Sequence, residues 1–159
     1  MPTGMKASNR EGADVQKDGP ADSSAGAPIP SVLVAEDDSE LRRLLAEKLR
    51  RDGYRVDEAK SGMELFERIE EMDRQNLSYD LIITDIRMPG LTGMEVIDGL
   101  AADGVFDMWT TRVIFISAFG DGATRMAADR LQAPLIDKPF DIDALRSCAA
   151  EMIRRGQKP

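Results

Sequence analysis

The sequence predicts an α/β fold in which a parallel sheet is covered by helices on both faces. The segments Val32–Val34, Leu81–Ile83 and Val113–Ile116 consist of apolar residues throughout. Strands of that kind are buried on both faces, which is typical of parallel sheets. The segments between them carry apolar residues at helical spacing, so strands and helices alternate along the chain. Because crossovers between parallel strands are right-handed, the arrangement is a doubly wound sheet.

The first half of the folded region is predicted to contain three strands and two helices. They are strands at 31–35, 54–59 and 80–84, and helices at 39–51 and 61–74. The first helix has leucines at helical spacing, and Gly53 lies just beyond its end. Ser61 and Glu64 form a capping-box pattern, which marks the start of the second helix.

The second half continues the same alternation. Its elements are helices at 93–102, 121–131 and 141–155, and strands at 112–117 and 135–136. In the last helix, Leu145, Cys148 and Met152 lie on one face at helical spacing, so Cys148 is interpreted as a structural thiol. The complete count is five strands and five helices.

Composition excludes several classes of function. The chain has 159 residues, a net charge of −8, one cysteine and no histidine. An acidic chain is unsuited to direct nucleic-acid binding, and the absence of histidine excludes histidine-based catalysis or phosphohistidine chemistry within it. No apolar run is long enough for a membrane span, so a soluble, cytoplasmic protein is expected. Residues 1–30 are rich in Gly, Pro, Ala and Ser, and we expect a disordered tail there.

Polar residues follow four of the predicted strands, at the point where each strand ends. They are Glu36, Asp37 and Asp38 after the first strand, Asp85 after the third, Ser117 after the fourth, and Asp137 and Lys138 after the fifth. In an open parallel sheet, residues at the carboxyl ends of the strands share one edge. Clustered carboxylates attract Mg²⁺, a carboxylate can form an aspartyl-phosphate, and lysine and hydroxyl groups can bind phosphoryl oxygens.

Each of these residues also has an ordinary structural interpretation. The acidic run at 36–38 could cap the helix that begins at Ser39, and Asp85 could be a turn residue before Pro89. Ser117 could be structural, and Lys138 could be a solvated lysine. Their occurrence at successive strand ends favours the shared site.

Four motifs carry a resemblance to a known family. They are Val32-Leu33-Val34-Ala35-Glu36-Asp37-Asp38, Asp80-Leu81-Ile82-Ile83-Thr84-Asp85-Ile86-Arg87-Met88-Pro89-Gly90-Leu91-Thr92-Gly93, Val113-Ile114-Phe115-Ile116-Ser117-Ala118 and Asp137-Lys138-Pro139-Phe140. Together they resemble the receiver domain of two-component response regulators, with the single-domain architecture of chemotaxis regulators. The resemblance covers about residues 31–155 and leaves 156–159 as a short C-terminal tail. It implies a flavodoxin-like sheet of order 2-1-3-4-5 with five helices on both faces.

The resemblance also implies a role for each site residue. Asp85 matches the phosphoacceptor, and Ser117 and Lys138 match the residues that contact the phosphoryl group. Glu36, Asp37, Asp85 and the backbone carbonyl of Arg87 match the Mg²⁺ ligands. Asp38 lies one position beyond the acidic pair and is expected to cap the helix. The Lys138–Pro139 bond is expected to be cis, as is common in the family.

One position departs from the family pattern. Leu135 stands where members usually have an aromatic residue that moves inward on activation. If the domain switches, the moving parts are expected to be the loop 118–122 after Ser117, where two glycines ease a backbone change, and the helix that follows it. The family positions that influence phosphate lifetime are Arg87 and Phe119 here, and neither positions water, so slow self-dephosphorylation is expected. Trp109 is interpreted as packed over the sheet edge.

The resemblance implies a protein that receives a phosphoryl group and signals through protein contacts rather than an enzyme with turnover. The expected donor is a sensor histidine kinase or a histidine phosphotransfer protein, and the downstream protein is unknown. The chain ends soon after the last helix, so no output domain is expected on it. The alternatives are a phosphorylation-independent scaffold and a Mg²⁺-dependent phosphatase-type enzyme. The residue two positions after Asp85 is Arg87 rather than a second acid, which argues against the phosphatase.

Overall fold

A computed structural model describes residues 27–105 and 110–156. The strands are β1 Ser31–Ala35, β2 Arg55–Ala59, β3 Leu81–Asp85, β4 Arg112–Ser117 and β5 Leu135–Asp137. The helices are α1 Ser39–Arg51, α2 Gly62–Arg74, α3 Gly93–Ala102, α4 Gly122–Arg130 and α5 Ile142–Gly156. All strand pairs are parallel, and the sheet order is β2-β1-β3-β4-β5, which confirms the predicted topology.

The sheet separates two apolar cores, because alternate residues of each strand point to opposite faces. Val32 and Val34 of β1 pack with α1 and α5, whereas Leu33 and Ala35 pack on the side of α2 and α3. Strands β1 and β3 are buried along their whole length. Burial on both faces is why these strands lack the polar alternation of a half-exposed strand.

Two predicted boundaries differ by one residue in ways that concern the site. Strand β3 extends to Asp85, and β5 extends to Asp137, so both acids are the last residues of strands. Pairing of Asp85 with Ile116 and of Asp137 with Ser117 holds these residues in the ladder, although neither is a typical strand former. Helix α5 continues one residue further than predicted, to Gly156.

Side chains at the helix starts explain where α1, α2 and α3 begin. Asp38 caps α1 by accepting hydrogen bonds from the amides of Glu40 and Leu41, as expected. Ser61 caps α2, but the Glu64 carboxylate accepts from the Lys60 amide rather than completing the predicted box. The reciprocal capping box is found instead at the start of α3, between Thr92 and Glu95. Each cap satisfies amides that a helix start otherwise leaves unpaired.

The far edge of the sheet is less buried than its centre. Helix α4 is capped by Asp121 and buries only Ala128 among its residues. Strand β5 is partly exposed throughout, and Leu135 packs at the margin of the core. Phe119, in the loop between β4 and α4, is 64% exposed, and Met126, within α4, is 66% exposed.

Some sequence expectations fall on residues that lie outside the described part of the chain. These are most of the predicted tail at 1–30 and the packing of Trp109. Cys148 is half-buried, and burial raises the pKa of its thiol. None of the helices in 27–105 and 110–156 combines the length and apolar character needed to cross a membrane.

Candidate functional site

Lys138 joins the ends of β1 and β3 at the carboxyl edge of the sheet. Its Nζ lies 2.6 Å from Asp85 Oδ2 and 3.0 Å from Glu36 Oε1. The Lys138 amide donates to the Ser117 carbonyl at 2.8 Å, and the Lys138–Pro139 bond is cis, as expected. Glu36 and Asp85 are only 1% and 3% exposed. These three side chains, which follow three predicted strands, therefore lie together in one site.

The Glu36 carboxylate is only partly satisfied by protein groups. Its Oε2 accepts from the Asp38 amide at 3.0 Å, whereas Oε1 is buried and has no well-directed hydrogen bond. Burial raises the pKa of Glu36 to about 7, although the Asp38 amide and Lys138 both favour its charged form. Burial also acts to lower the pKa of Lys138, but its contacts with Asp85 and Glu36 outweigh burial and raise it. A buried acid whose Oε1 faces only the Lys138 ammonium fits a site that receives a further cation.

Asp37 completes an acidic cluster whose donor set suits a hard cation. Carboxylate oxygens of Glu36, Asp37 and Asp85 lie within 4.8 Å of one another, and Asp37 is the exposed member. Oxygen-only ligands with room for water are what Mg²⁺ prefers. Arg87 lies beside this cluster, because its amide donates to Asp85 Oδ1 at 3.1 Å and it lines an open cleft together with Asp37.

Ser117 is buried beside the cluster, but its hydroxyl is bonded to the following loop. The hydroxyl donates to the Phe119 carbonyl at 2.8 Å and accepts from the Phe119 amide at 3.0 Å. A contact between Ser117 and a phosphoryl group on Asp85 would require these bonds to break. Its predicted role in binding that group therefore remains a prediction.

Arg87 and Phe119 contact each other across the mouth of the site. The Arg87 guanidinium lies 5.0 Å from the centroid of the Phe119 ring, within the range of a cation–π interaction. They stand two residues beyond Asp85 and Ser117, which end neighbouring strands. Because both residues lie two positions beyond the ends of paired strands, the sequence contains a signal that predicts their contact.

Arg125 was not singled out by the sequence, yet it bridges two loops of the site. Its Nε donates to the Gly120 carbonyl at 3.0 Å, and its Nη2 donates to Asp137 Oδ2 at 2.7 Å. Gly120 follows Phe119, and Asp137 precedes Lys138. No sequence pattern predicts the bridge, because it depends on how the face of α4 meets the end of β5.

Gly93 sets the packing behind Asp85. A Cβ at this position would lie 2.3 Å from the Asp85 carbonyl oxygen and 2.5 Å from Thr84 Oγ1. The Thr84 hydroxyl in turn donates to that carbonyl at 2.9 Å. The start of α3 therefore lies directly against the backbone that carries Asp85, and only glycine permits this approach.

The 2-1-3-4-5 order of this parallel sheet is that of the CheY-like fold. The family model of the response regulator receiver domain matches residues 32–150. The chain belongs to the response regulator receiver family, a family of signalling modules.

Curated relatives and a solved structure agree with this assignment. The transcriptional regulatory protein TcrA of Mycobacterium tuberculosis is 31% identical over 129 residues, which are 80% of this chain and 47% of TcrA. The chain thus spans about half the length of that relative. The response regulator receiver protein CpdR of Brucella abortus is 31% identical over 112 residues, 70% of this chain and 86% of CpdR. The response regulator TrrA of Thermotoga maritima, in complex with Mg²⁺–BeF, is 26% identical with a TM-score of 0.63, covering 78% of this chain and 99% of TrrA.

Proposed function

We propose that this protein is a phosphoacceptor response regulator in which Asp85 receives the phosphoryl group. The observation that carries the proposal is the position of Lys138 Nζ, 2.6 Å from Asp85 and 3.0 Å from Glu36. A buried carboxylate beside a lysine is placed to act as a nucleophile and to have the incoming phosphoryl charge neutralised. A scaffold that never accepts phosphate would have no use for this arrangement.

The proposed reaction is transfer from a phosphohistidine of the donor. A carboxylate oxygen of Asp85 attacks phosphorus, an O–P bond forms, and the N–P bond of the donor breaks. The donor imidazole leaves with the electron pair of that bond and takes up a proton from solvent. Loss of phosphate is the attack of water on the same phosphorus, which restores the Asp85 carboxylate.

The acidic cluster supports Mg²⁺ as the cofactor. Glu36, Asp37, Asp85 and the backbone carbonyl of Arg87 would hold the ion. When bound, Mg²⁺ supplies neutralising charge for the phosphoryl oxygens. Lys138 binds an oxygen from its present position beside Asp85, whereas Ser117 first has to exchange its bonds with Phe119.

The proposal includes the partners expected for such a protein. The donor is a sensor histidine kinase or a histidine phosphotransfer protein, and the output is a contact with a downstream protein. We propose no turnover of an external substrate, no direct contact with nucleic acid or membrane, and a cytoplasmic location. The net charge of −8 supports the exclusion of direct nucleic-acid binding.

Intact-mass measurement tests the proposal. The purified chain is incubated with phosphoramidate and Mg²⁺, and we expect one added phosphoryl group. Asp85→Ala should remain unmodified, whereas Asp98→Ala, which removes an exposed acid on α3, should be modified like the native chain. Folding of each variant is checked by circular dichroism. A folded native chain that stays unmodified, or an Asp85→Ala variant that is modified equally, would show the proposal to be wrong.

A further inference from the structure

The loop after β4 is held in place by two sets of contacts. At its start, the Ser117 hydroxyl makes both of its hydrogen bonds to the backbone of Phe119. At its end, Arg125 donates to the Gly120 carbonyl and to the Asp137 carboxylate. We call the contact among Gly120, Arg125 and Asp137 the Arg125 latch.

The latch connects the two segments that carry the proposed phosphoryl-binding side chains. Gly120 is three residues after Ser117, and Asp137 directly precedes Lys138. Lys138 already contacts Asp85, whereas Ser117 is turned toward the loop. A movement of the Ser117 hydroxyl toward Asp85 has to break its two hydrogen bonds with Phe119, and the latch anchors Gly120, the residue that follows Phe119.

We propose that the Arg125 latch stabilises the arrangement in which Ser117 is bonded to Phe119, and that phosphorylation of Asp85 opens the latch. The proposal rests on the proposed function, because it assumes that Ser117 turns toward a phosphoryl group on Asp85. With Leu135 in the position usually held by an aromatic residue, the latch provides a different connection between the site and α4. It links phosphorylation to the exposed face that contains Phe119 and Met126.

The size of the effect follows from the exposure of the ion pair. The Arg125 and Asp137 side chains are 49% and 52% exposed. Pairs of this kind shift an equilibrium by about two- to fivefold. The latch therefore biases the loop toward one arrangement without locking it, which is what a reversible response requires.

Gly120 provides a way to open the latch without changing charge. A Cβ at this position would lie 2.7 Å from Asp137 Oδ1 and 2.9 Å from Arg125 Nη2. Both are ends of flexible side chains, so Gly120→Ala should separate the pair while leaving the backbone in place. Gly120 is not among the glycines with positive φ, so alanine is tolerated by the backbone there.

Binding of beryllofluoride in the presence of Mg²⁺ tests the proposal. We expect Arg125→Ala and Gly120→Ala to lower the Kd for beryllofluoride about two- to fivefold relative to the native chain. Simple electrostatics predicts the opposite for Arg125→Ala, since removing a cation should weaken binding of an anion. The double variant Arg125→Ala/Asp137→Asn should show no further gain over Arg125→Ala alone.

Two measurements separate the latch from other causes. Arg130→Ala removes an exposed cation from the same helix and should leave the Kd unchanged. Hydrogen exchange of the Phe119 amide, which donates to Ser117, should be faster in Arg125→Ala than in the native chain. If the native chain binds beryllofluoride and Arg125→Ala binds equally or more weakly, the latch proposal alone is wrong. If the native chain does not bind it, both the latch and the proposed function are wrong.

Discussion

The two sides of the site differ in how deeply their residues are buried. The acidic side consists of β1, β3 and the residues at their ends, where both strands are fully buried and Glu36 is 1% exposed. The loop side consists of the loop after β4, α4 and β5. There α4 buries only Ala128, and β5 is partly exposed at every residue.

The contrast assigns different tasks to the two sides. Carboxylates that bind a cation and react with phosphorus need fixed positions, which a buried parallel sheet provides. A segment that responds to the reaction has to rearrange at low cost, and such segments have few buried apolar contacts. The same sheet edge therefore carries a deeply buried group that we propose to be reactive and a less buried segment that we propose to report its state.

A matched pair of leucine substitutions should show the largest difference between the two sides. Leu33 on β1 is fully buried, whereas Leu135 on β5 is only partly buried. Leu33→Ala should cost about 2–5 kcal/mol of unfolding free energy, and Leu135→Ala clearly less, because little cavity is left at a partly exposed position. Urea unfolding measures both variants, and equal losses of unfolding free energy would contradict the difference in burial between the two sides.

Alanine substitutions at two glycines on α3 should change the stability of the protein in opposite directions. Gly93→Ala brings a Cβ against the backbone of Asp85, so it should destabilise the protein by about 1–3 kcal/mol and slow phosphorylation of Asp85. At Gly99 a Cβ would meet nothing within 4 Å, so Gly99→Ala should stabilise the protein by about 0.5–1 kcal/mol. Thermal unfolding and intact mass measure the two effects. A harmless Gly93→Ala would mean that Asp85 is not held as rigidly as the acidic side implies.

The smallest expected effect concerns an ion pair remote from the loop side. Asp52 at the end of α1 accepts from Arg146 of α5 at 2.6 and 2.9 Å, and these hydrogen bonds lower the pKa of Asp52. A lowered carboxyl pKa stabilises the fold above its ordinary value of about 3.9, and that contribution is lost as the pH falls through the folded-state pKa.

Asp52→Asn should therefore reduce stability slightly at pH 7, and the difference from the native chain should disappear in acid. Asp143→Asn is the matched control, because Asp143 pairs with the same arginine but is 79% exposed. Its effect should be smaller still. Urea unfolding between pH 3 and pH 7 measures both variants, and a loss for Asp52→Asn that does not shrink as the pH falls below the ordinary carboxyl pKa would contradict the assigned cause.

Much of the acidic side could be predicted from the sequence. Apolar runs identify buried strands, and residues at the ends of parallel strands share an edge. For this reason the sequence alone groups Glu36 and Asp85 with each other and with Lys138, which follows β5 on the loop side. The cap by Asp38 was likewise predictable, because an acid directly before a helix has one obvious set of partners.

The side-chain contacts of the loop side could not be predicted from the sequence, for physical reasons. The orientation of the Ser117 hydroxyl is a rotamer choice between the site and the loop, and residue type does not decide it. The Arg125 latch depends on the rotation of α4, which few buried side chains specify. The sequence pattern predicts a capping box at Ser61 and Glu64, but the Glu64 carboxylate accepts from the Lys60 amide instead, because short polar motifs have several partners within reach.

The single buried residue of α4 has an evolutionary consequence. When a helix contributes so little to the core, most of its positions tolerate substitution at small cost in stability. Its outer face can therefore change to fit a new partner while the strands that carry Asp85 stay the same. A gene duplicate of this protein could in this way acquire a separate signalling pathway before its chemistry changed at all.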